Sequence, residues 1–161
     1  MSLFLEDYHP GDTAHYGSHT FTAAAITEFA RVYDPQPFHV DAVAAQRSVF
    51  AGLCASGWHT AAIWMRLMVQ RELAALAAMT AAGQPVARMG PSPGFTDMRF
   101  LRPVRPGDTL TYSGTVTGIE PWRGRPTWGL MASHNEAHNQ HEQKVFEFNV
   151  KVLVERRVPL P

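Results

Sequence analysis

The chain has 161 residues, of which 45% are hydrophobic and 17% are charged, and this composition excludes a disordered protein and allows a buried core. Its 14 basic residues balance 14 acidic ones, so net charge gives no reason to expect nucleic acid or an anionic membrane surface as a partner. The single cysteine, Cys54, excludes an internal disulfide and suits a reducing compartment.

The first third of the chain predicts a strand followed by two helices. Residues 15–21 read as a short strand after a Pro-Gly-Asp turn. Thr22 then stands in a helix-capping position before residues 23–32, which place apolar side chains on one face. Asp41 stands in the same position before a short helix over residues 42–47. We therefore interpret Asp41 as a helix cap rather than a catalytic group.

A long helix is predicted from Ser56-Gly57 to about residue 78. Its apolar side chains lie on most sides, which predicts a helix wrapped by other structure. Polar residues, among them Arg66 and Glu72, interrupt its apolar run, so we do not expect a membrane span. Trp58, Trp64 and the methionines after it are interpreted as core or dimer packing.

The apolar period changes to two in the second half of the chain. Apolar and polar residues alternate in four segments, at residues 96–100, 110–117, 128–132 and 146–154. Such alternation is typical of antiparallel strands with one buried face. The simplest arrangement that buries the apolar faces of both elements wraps this sheet around the long helix, in one α+β domain over residues 1–161.

The segment most indicative of function is Asp34-Pro35-Gln36-Pro37-Phe38-His39. Proline fixes its own φ and pushes the preceding residue towards extended geometry, so we expect a stiff, non-helical loop. Such a loop can aim Asp34 and His39 at one water molecule, as an acid/base pair requires. In the alternative interpretation, Asp34 caps a turn and His39 bonds a loop carbonyl.

Four segments resemble the MaoC-like family of (R)-specific enoyl-CoA hydratases, which have the hotdog fold. They are the loop at residues 34–41, the Ser56-Gly57 step, residues 99–110 and the last strand at 145–155, and the resemblance covers nearly the whole chain. The chain has Ser56 where the family often has histidine. It also lacks, over residues 61–65, a serine that hydratases often carry on this helix.

The resemblance implies an enzyme that adds water to a trans-2-enoyl-CoA thioester to give an (R)-3-hydroxyacyl-CoA, or the reverse. Asp34 is the expected base, and His39 is expected to hold the same water and pass a proton to carbon. The first amides of a helix have no partner within it, so the Gly57 N–H is the expected oxyanion donor unless this glycine serves only close packing. Ser56 is either a helix cap or a hydroxyl facing the site.

The resemblance further implies a homodimer, with two sheets joined edge to edge and the acyl-CoA along the subunit interface. We expect no metal or redox cofactor, although two histidine sets, His15 with His19 and His134 with His138 and His141, have spacings that resemble those of metal ligands. The first ten residues predict no signal peptide, so a cytoplasmic protein is expected.

Two alternatives remain open at this point. A hotdog thioesterase would hydrolyse the thioester with a carboxylate on the long helix, where Glu72 is the only candidate. A noncatalytic acyl-CoA-binding subunit would retain the Asp34–His39 segment for folding alone. Some arginines are candidates for coenzyme A phosphate contacts: Arg99, Arg102, Arg105, Arg123 and Arg125.

Overall fold

The computed structural model describes residues 3–122 and 124–159 of the chain. Five strands and four helices follow a short 3₁₀ helix at Leu5–Asp7. In chain order they are β1 (Thr13–Thr20), α1 (Ala23–Tyr33), α2 (Pro37–Val40), α3 (Ala42–Gln46), α4 (Gly57–Ala81), β2 (Gly94–Phe100), β3 (Thr109–Pro121), β4 (Trp128–His138) and β5 (Lys144–Glu155).

The five strands form one antiparallel sheet in the order β1-β3-β4-β5-β2. Side-chain burial alternates strictly along β4, as the period of two in the sequence predicts. The sheet curves around the first half of α4, where His59, Thr60, Ile63 and Trp64 are buried. This is the α+β hotdog fold that the resemblance implied.

The helix caps predicted at Thr22 and Asp41 are confirmed, and Ser56, for which a cap was one of two alternatives, also caps its helix. The Thr22 side chain accepts a hydrogen bond from the Ala25 amide, and Asp41 Oδ1 accepts from the Val43 amide at 2.8 Å. Ser56 Oγ accepts from the Trp58 amide at 3.2 Å. Each cap satisfies amides that the first turn of a helix leaves without a partner, so these short polar residues set where α1, α3 and α4 begin.

The prediction that the two prolines keep His39 out of a helix is wrong. His39 lies in the one-turn helix α2, which begins at Pro37. Proline is well suited to the first helical position because its missing N–H has no helical partner there and its φ already fits. Pro35 and Pro37 therefore end α1 and start α2, and the bend between the two helices brings Asp34 near His39.

Helix α4 is less enclosed than its composition predicts. From Met65 onward it leaves an apolar stripe exposed, with Met65 50% and Leu73 59% accessible, and Trp58 is 56% accessible at the start of the helix. Apolar composition indicates that a helix face will be covered but not by which chain, so the prediction that α4 is wrapped holds for one face only within a protomer. None of the helices in the described part of the chain combines the length and the apolar character that a membrane span requires.

A buried histidine on α4 makes the stability of the fold dependent on pH. His59 is 5% exposed, stacks on Phe29 with ring centroids 4.4 Å apart, and has no hydrogen-bond partner for Nδ1 among the described residues. Burial, together with nearby His19 and Arg66, lowers the pKa of His59 to about 4. In the unfolded chain the pKa of histidine is near its ordinary value. Between the two pKa values, the unfolded chain therefore binds a proton at His59 that the folded chain does not bind.

We expect the free energy of unfolding to fall by about 3 kcal/mol from this group alone as pH drops from 7 to 4. His59→Phe, which keeps the stacking on Phe29, should remove this part of the pH dependence. Urea unfolding of both proteins at several pH values measures the difference. If the free energy of unfolding fell equally with pH in both proteins over this range, His59 would not be the source of the pH dependence.

Candidate active site

Asp34 lies at the C-terminal end of α1, where its amide donates to the Ala30 carbonyl at 2.9 Å. Its side chain is held from two sides. Ser56 Oγ donates to Asp34 Oδ2 at 2.7 Å, and Gln36 Nε2 donates to Asp34 Oδ1 at 2.8 Å. The carboxylate therefore has one fixed orientation before any ligand binds.

His39 faces the same carboxylate. Its Nε2 lies 3.4 Å from Asp34 Oδ2, and its side chain is 7% exposed. On the other side of the ring, Nδ1 lies 2.7 Å from the Cys54 carbonyl oxygen. Because a carbonyl oxygen only accepts, Nδ1 carries a hydrogen, and the atom that points at Asp34 is the one free to gain or lose a proton.

Ser56 fulfils both roles that the sequence left open. Its Oγ accepts from the Trp58 amide as the cap of α4 and donates its own hydrogen to Asp34. A hydroxyl can do both at once because it has one donor and two acceptor lone pairs. The start of α4 and the orientation of the carboxylate are thus coupled through one oxygen.

The environment keeps Asp34 ionised at neutral pH. Burial alone would raise its pKa, but hydrogen bonds from Ser56 and Gln36 and the charge of His39 hold the pKa of Asp34 below its ordinary value. Hydrogen bonds to the charged form of a carboxylate favour that form. Asp34 is therefore able to accept a proton or a hydrogen bond from water at neutral pH.

The Gly57 amide is the first of α4 and makes no hydrogen bond with any of the described residues, whereas the next amides bond to Ser56. Gly57 has no room for a side chain, since a Cβ there would lie 2.7 Å from the Phe100 ring. The two properties left open for Gly57, close packing and an available N–H, therefore coexist.

These groups line one cavity of about 480 Å³. Asp34, His39, Ser56 and Gly57 all border it, so the structure brings together the four site residues predicted from the sequence. Two contributions were missed by the sequence interpretation: the Gln36 amide on Asp34 and the Phe100 ring against Gly57. The spacing of Gln36 two residues after Asp34 was an available signal, whereas the position of Phe100 depends on how the sheet packs.

The arginines differ in what their side chains do. Arg105 turns inward and donates to the carbonyls of Phe50, Gly52 and Leu53, so it anchors the segment before α4 and is not available for phosphate. Arg102 borders the site cavity and donates to the Lys144 carbonyl at 2.7 Å, and Arg99 lies 3.9 Å from Glu147. Arg123 lies outside the described residues.

The histidine sets do not form a metal site in the described part of the chain, which contains no group of three or more His, Cys, Asp or Glu side chains with suitable geometry. His19 Nδ1 lies 3.1 Å from Arg66, a cation that disfavours a metal ion. His134 Nδ1 lies 2.9 Å from Asn149 Oδ1, and its Nε2 lies 3.8 Å from both Glu136 and Glu147.

Comparison with known proteins identifies the family. The sequence profile of the family described as "MaoC like domain" matches residues 9–138. The chain belongs to the MaoC-like domain family. The protein YdeM of Bacillus subtilis (strain 168) is 32% identical over 131 residues, which cover 81% of this chain and 84% of that protein.

Solved structures agree with this assignment. The MaoC-like dehydratase from Rhodospirillum rubrum is 38% identical, with a TM-score of 0.77 and coverage of 98% of this chain and 99% of that one. The R-hydratase PhaJ1 from Pseudomonas aeruginosa is 22% identical, with a TM-score of 0.63 and coverage of 99% and 92%. The second likeness is one of fold. This MaoC-like chain therefore belongs with proteins named dehydratases and shares their architecture.

In this MaoC-like chain, Ser56→Ala should lower kcat by roughly tenfold, because one hydrogen bond to a charged group is worth about 1.5 kcal/mol. Without the Ser56 hydrogen bond the pKa of Asp34 rises towards its ordinary value. The acid limb of the kcat/KM profile should therefore move to higher pH. Ser56→Thr, which keeps the hydroxyl, is the matched control. An acid limb at the same pH in Ser56→Ala and the wild type would show that the Ser56 hydrogen bond does not lower the pKa of Asp34.

Proposed function

We propose that this protein adds water across the double bond of a trans-2-enoyl-CoA to give an (R)-3-hydroxyacyl-CoA, or catalyses the reverse reaction. The observation that carries the proposal is the convergence of Asp34 and His39 at 3.4 Å in the cavity that Gly57 also borders. Membership in the MaoC-like family supports a hydratase or dehydratase.

The proposed reaction uses three groups, which are the Asp34 carboxylate, the His39 imidazole and the Gly57 N–H. Asp34 accepts a proton from water as the water oxygen bonds to C3 of the enoyl group, and the electron pair of the double bond moves towards the thioester oxygen. The Gly57 N–H stabilises the resulting enolate oxygen, a contribution worth about 3–4 kcal/mol for one donor. His39, protonated on both ring nitrogens, gives the Nε2 proton to C2. Asp34 Oδ2 lies 3.4 Å from His39 Nε2, and a proton then returns from the carboxyl group to the ring across this separation.

Proton transfer and hydrogen bonding supply every step, so we propose that no metal or redox cofactor takes part and that coenzyme A is present only as part of the substrate. Positioned acid and base groups contribute about 10²–10⁴-fold in rate. The single cysteine, Cys54, is buried beside the site, which suits the cytoplasmic location that we propose.

We propose a homodimer joined edge to edge through β2. This strand is at one edge of the sheet and is almost wholly exposed, and Phe95 on it is 54% accessible. Phe95 borders the same cavity as Met65, which belongs to the exposed apolar stripe of α4. An unpaired edge beside a large apolar surface is typical of an interface. Sedimentation equilibrium tests this proposal, and a mass equal to one chain would refute it.

Thioester hydrolysis is the second candidate, and the structure gives it little support. Glu72, the acidic residue of α4, does not border the cavity that contains Asp34 and His39. It lies 15 positions after Gly57 on the helix, a separation of about 22 Å along the axis. A carboxylate at that distance cannot act on a thioester carbonyl held at the Gly57 amide.

The test is a panel of trans-2-enoyl-CoA thioesters of different chain length and branching. Hydration should reduce the absorbance of the conjugated thioester without releasing thiol. A thiol reagent in a parallel reaction detects hydrolysis. Release of thiol with every member would replace the proposal with a thioesterase. No change by either readout, with acyl-CoA still bound, would indicate a noncatalytic binder.

A further inference from the structure

A second cavity, of about 550 Å³, lies between α4 and the sheet. Its walls are methionine, aromatic and valine side chains, including Met65, Met68, Met98 and Phe148. Met65 and Met68, for which the sequence predicts core or dimer packing, therefore also line a cavity. Trp58 borders both this cavity and the one that contains Asp34. A volume in this range and an apolar lining are typical of small-molecule sites.

A polar cluster is built into this apolar lining. Asn135 is 0% exposed, and its Oδ1 accepts from Tyr16 Oη and from Trp64 Nε1, both at 3.2 Å. An indole N–H can only donate, so Trp64 fixes which way the Asn135 amide points. The amide nitrogen Nδ2 then donates to Ser133 Oγ at 3.0 Å. All four residues border the cavity.

The donor that remains is the hydroxyl hydrogen of Ser133. Its oxygen already accepts from Asn135, and the described residues offer no acceptor for its hydrogen. Ser133 is only 7% exposed, so bulk water is not freely available to it. A buried donor without a partner costs free energy, and a ligand oxygen in the cavity would recover it.

The backbone is shaped to make room for this cluster. A side chain at position 114 would overlap it, because a Cβ there would lie 2.1 Å from Tyr16 Oη and 2.6 Å from Asn135 Oδ1. Tyr16 itself is the extra residue of a bulge in β1, next to Gly17 with φ of 115°. Bulges commonly redirect a side chain near a functional site. Gly114, the bulge at Tyr16 and the positive φ of Gly17 thus all make room for the polar cluster around Asn135 within an apolar cavity.

The charge of the cavity limits the class of ligand. Among the described residues that line it, none is acidic, basic or histidine. Arg71 borders the adjoining cavity, which shares Tyr16 and Ser133, and it lies 3.4 Å from Glu72, so its charge is already paired. Burying a carboxylate there without a cation would cost far more than one hydrogen bond returns. The cavity therefore suits a chain that is apolar apart from a neutral oxygen, such as a ketone, ester or ether.

The cavity is placed to receive the acyl chain of a thioester held at Gly57. Gly57, Ala61, Trp64 and Met68 follow the spacing of one helix face, and the last three border the apolar cavity. Trp64 lies seven positions after Gly57, about 10 Å along the helix axis. A chain that leaves the thioester along this face therefore reaches the polar cluster several carbons from the carbonyl.

We propose that the acyl group of the substrate carries a neutral hydrogen-bond acceptor towards its distal end, and that the Ser133 hydroxyl selects for it. The inference rests on the proposed function for the position of the thioester. It narrows the substrate from enoyl-CoA in general to medium-length acyl groups bearing an oxo or comparable oxygen, and it disfavours dicarboxylic acyl groups.

Binding of saturated thioesters tests the inference without requiring hydration. Isothermal titration calorimetry compares octanoyl-CoA with three oxo-octanoyl-CoA isomers, which carry the oxo group at carbon 5, 6 or 7. At least one oxo isomer should bind about tenfold more tightly than octanoyl-CoA, and Ser133→Ala should remove that preference while leaving octanoyl-CoA within about twofold. Ser92→Ala is the matched control, since Ser92 borders the same cavity but already donates to the Gly94 carbonyl.

Each outcome gives a decision. Tighter binding of octanoyl-CoA than of every oxo isomer, or a preference that survives in Ser133→Ala, would overturn the inference. Hydration of enoyl-CoA without the oxo preference would refute the inference and leave the proposed function standing. The Ser133-dependent preference without hydration of any enoyl-CoA would support the acyl site and refute the hydratase.

Discussion

Replacing Asp34 with asparagine should lower kcat for enoyl-CoA hydration by about 10³-fold while the protein stays folded and binds acyl-CoA. Asparagine keeps the shape of the side chain and one acceptor oxygen but cannot take a proton from water. It also places an NH₂ group where Ser56 or Gln36 now donates, so the fixed orientation of the side chain is lost. Steady-state kinetics, thermal unfolding and calorimetric binding measure the three quantities.

Asp41→Asn is the matched control for this variant. Asp41 caps α3 through bonds from the Val43 and Ala44 amides, and asparagine caps a helix equally well. We expect kcat within about twofold of the wild type. The double variant of Asp34→Asn with His39→Gln should lose little more than Asp34→Asn alone, because groups that act as a unit are not additive. Full activity in Asp34→Asn would refute the role proposed for Asp34.

Replacing Gly57 with alanine should lower kcat/KM by about 10²-fold. The added Cβ would lie 2.7 Å from the Phe100 ring, so either the ring or the start of α4 must shift. The methyl group also occupies the approach of the thioester oxygen to the Gly57 amide. A displacement near 1 Å at an oxyanion donor is enough for a loss of this size.

Gly118→Ala is the control for this second prediction, since a Cβ at Gly118 meets nothing within 4 Å. It should leave both kcat/KM and the unfolding temperature unchanged. Combining Gly57→Ala with Phe100→Leu relieves the clash with the ring but leaves the methyl group at the amide, so activity should stay low. Wild-type activity in Gly57→Ala would show that the oxyanion is bound elsewhere.

Local chemistry made much of this site predictable from the sequence. Thr22, Asp41 and Ser56 satisfy helix amides close to them in the chain, so their positions mark where helices begin. Asp34 and His39 are five residues apart, and prolines restrict the backbone between them. Strand alternation likewise depends on which face is buried, a property that each strand shows in its own sequence.

The rest of the site depends on contacts between distant segments. The inward orientation of Arg105 requires the carbonyls of Phe50 and Gly52, more than fifty positions away, and no local pattern separates it from a solvated arginine. Tyr16 and Asn135 are 119 positions apart and meet only because β1, β3 and β4 are neighbours. The wrong prediction that His39 lies in a non-helical loop has a different cause, since proline begins helices as readily as it ends them.

Hydration in D₂O tests most directly whether Asp34 and His39 act together on one water. Both groups lie on the same side of the cavity, so oxygen and deuterium should enter from one face of the double bond. NMR of the product should show a single C2-deuterated diastereomer with syn addition and the R configuration at C3. Anti addition, or deuterium distributed over both C2 positions, would contradict the action of Asp34 and His39 on one water molecule.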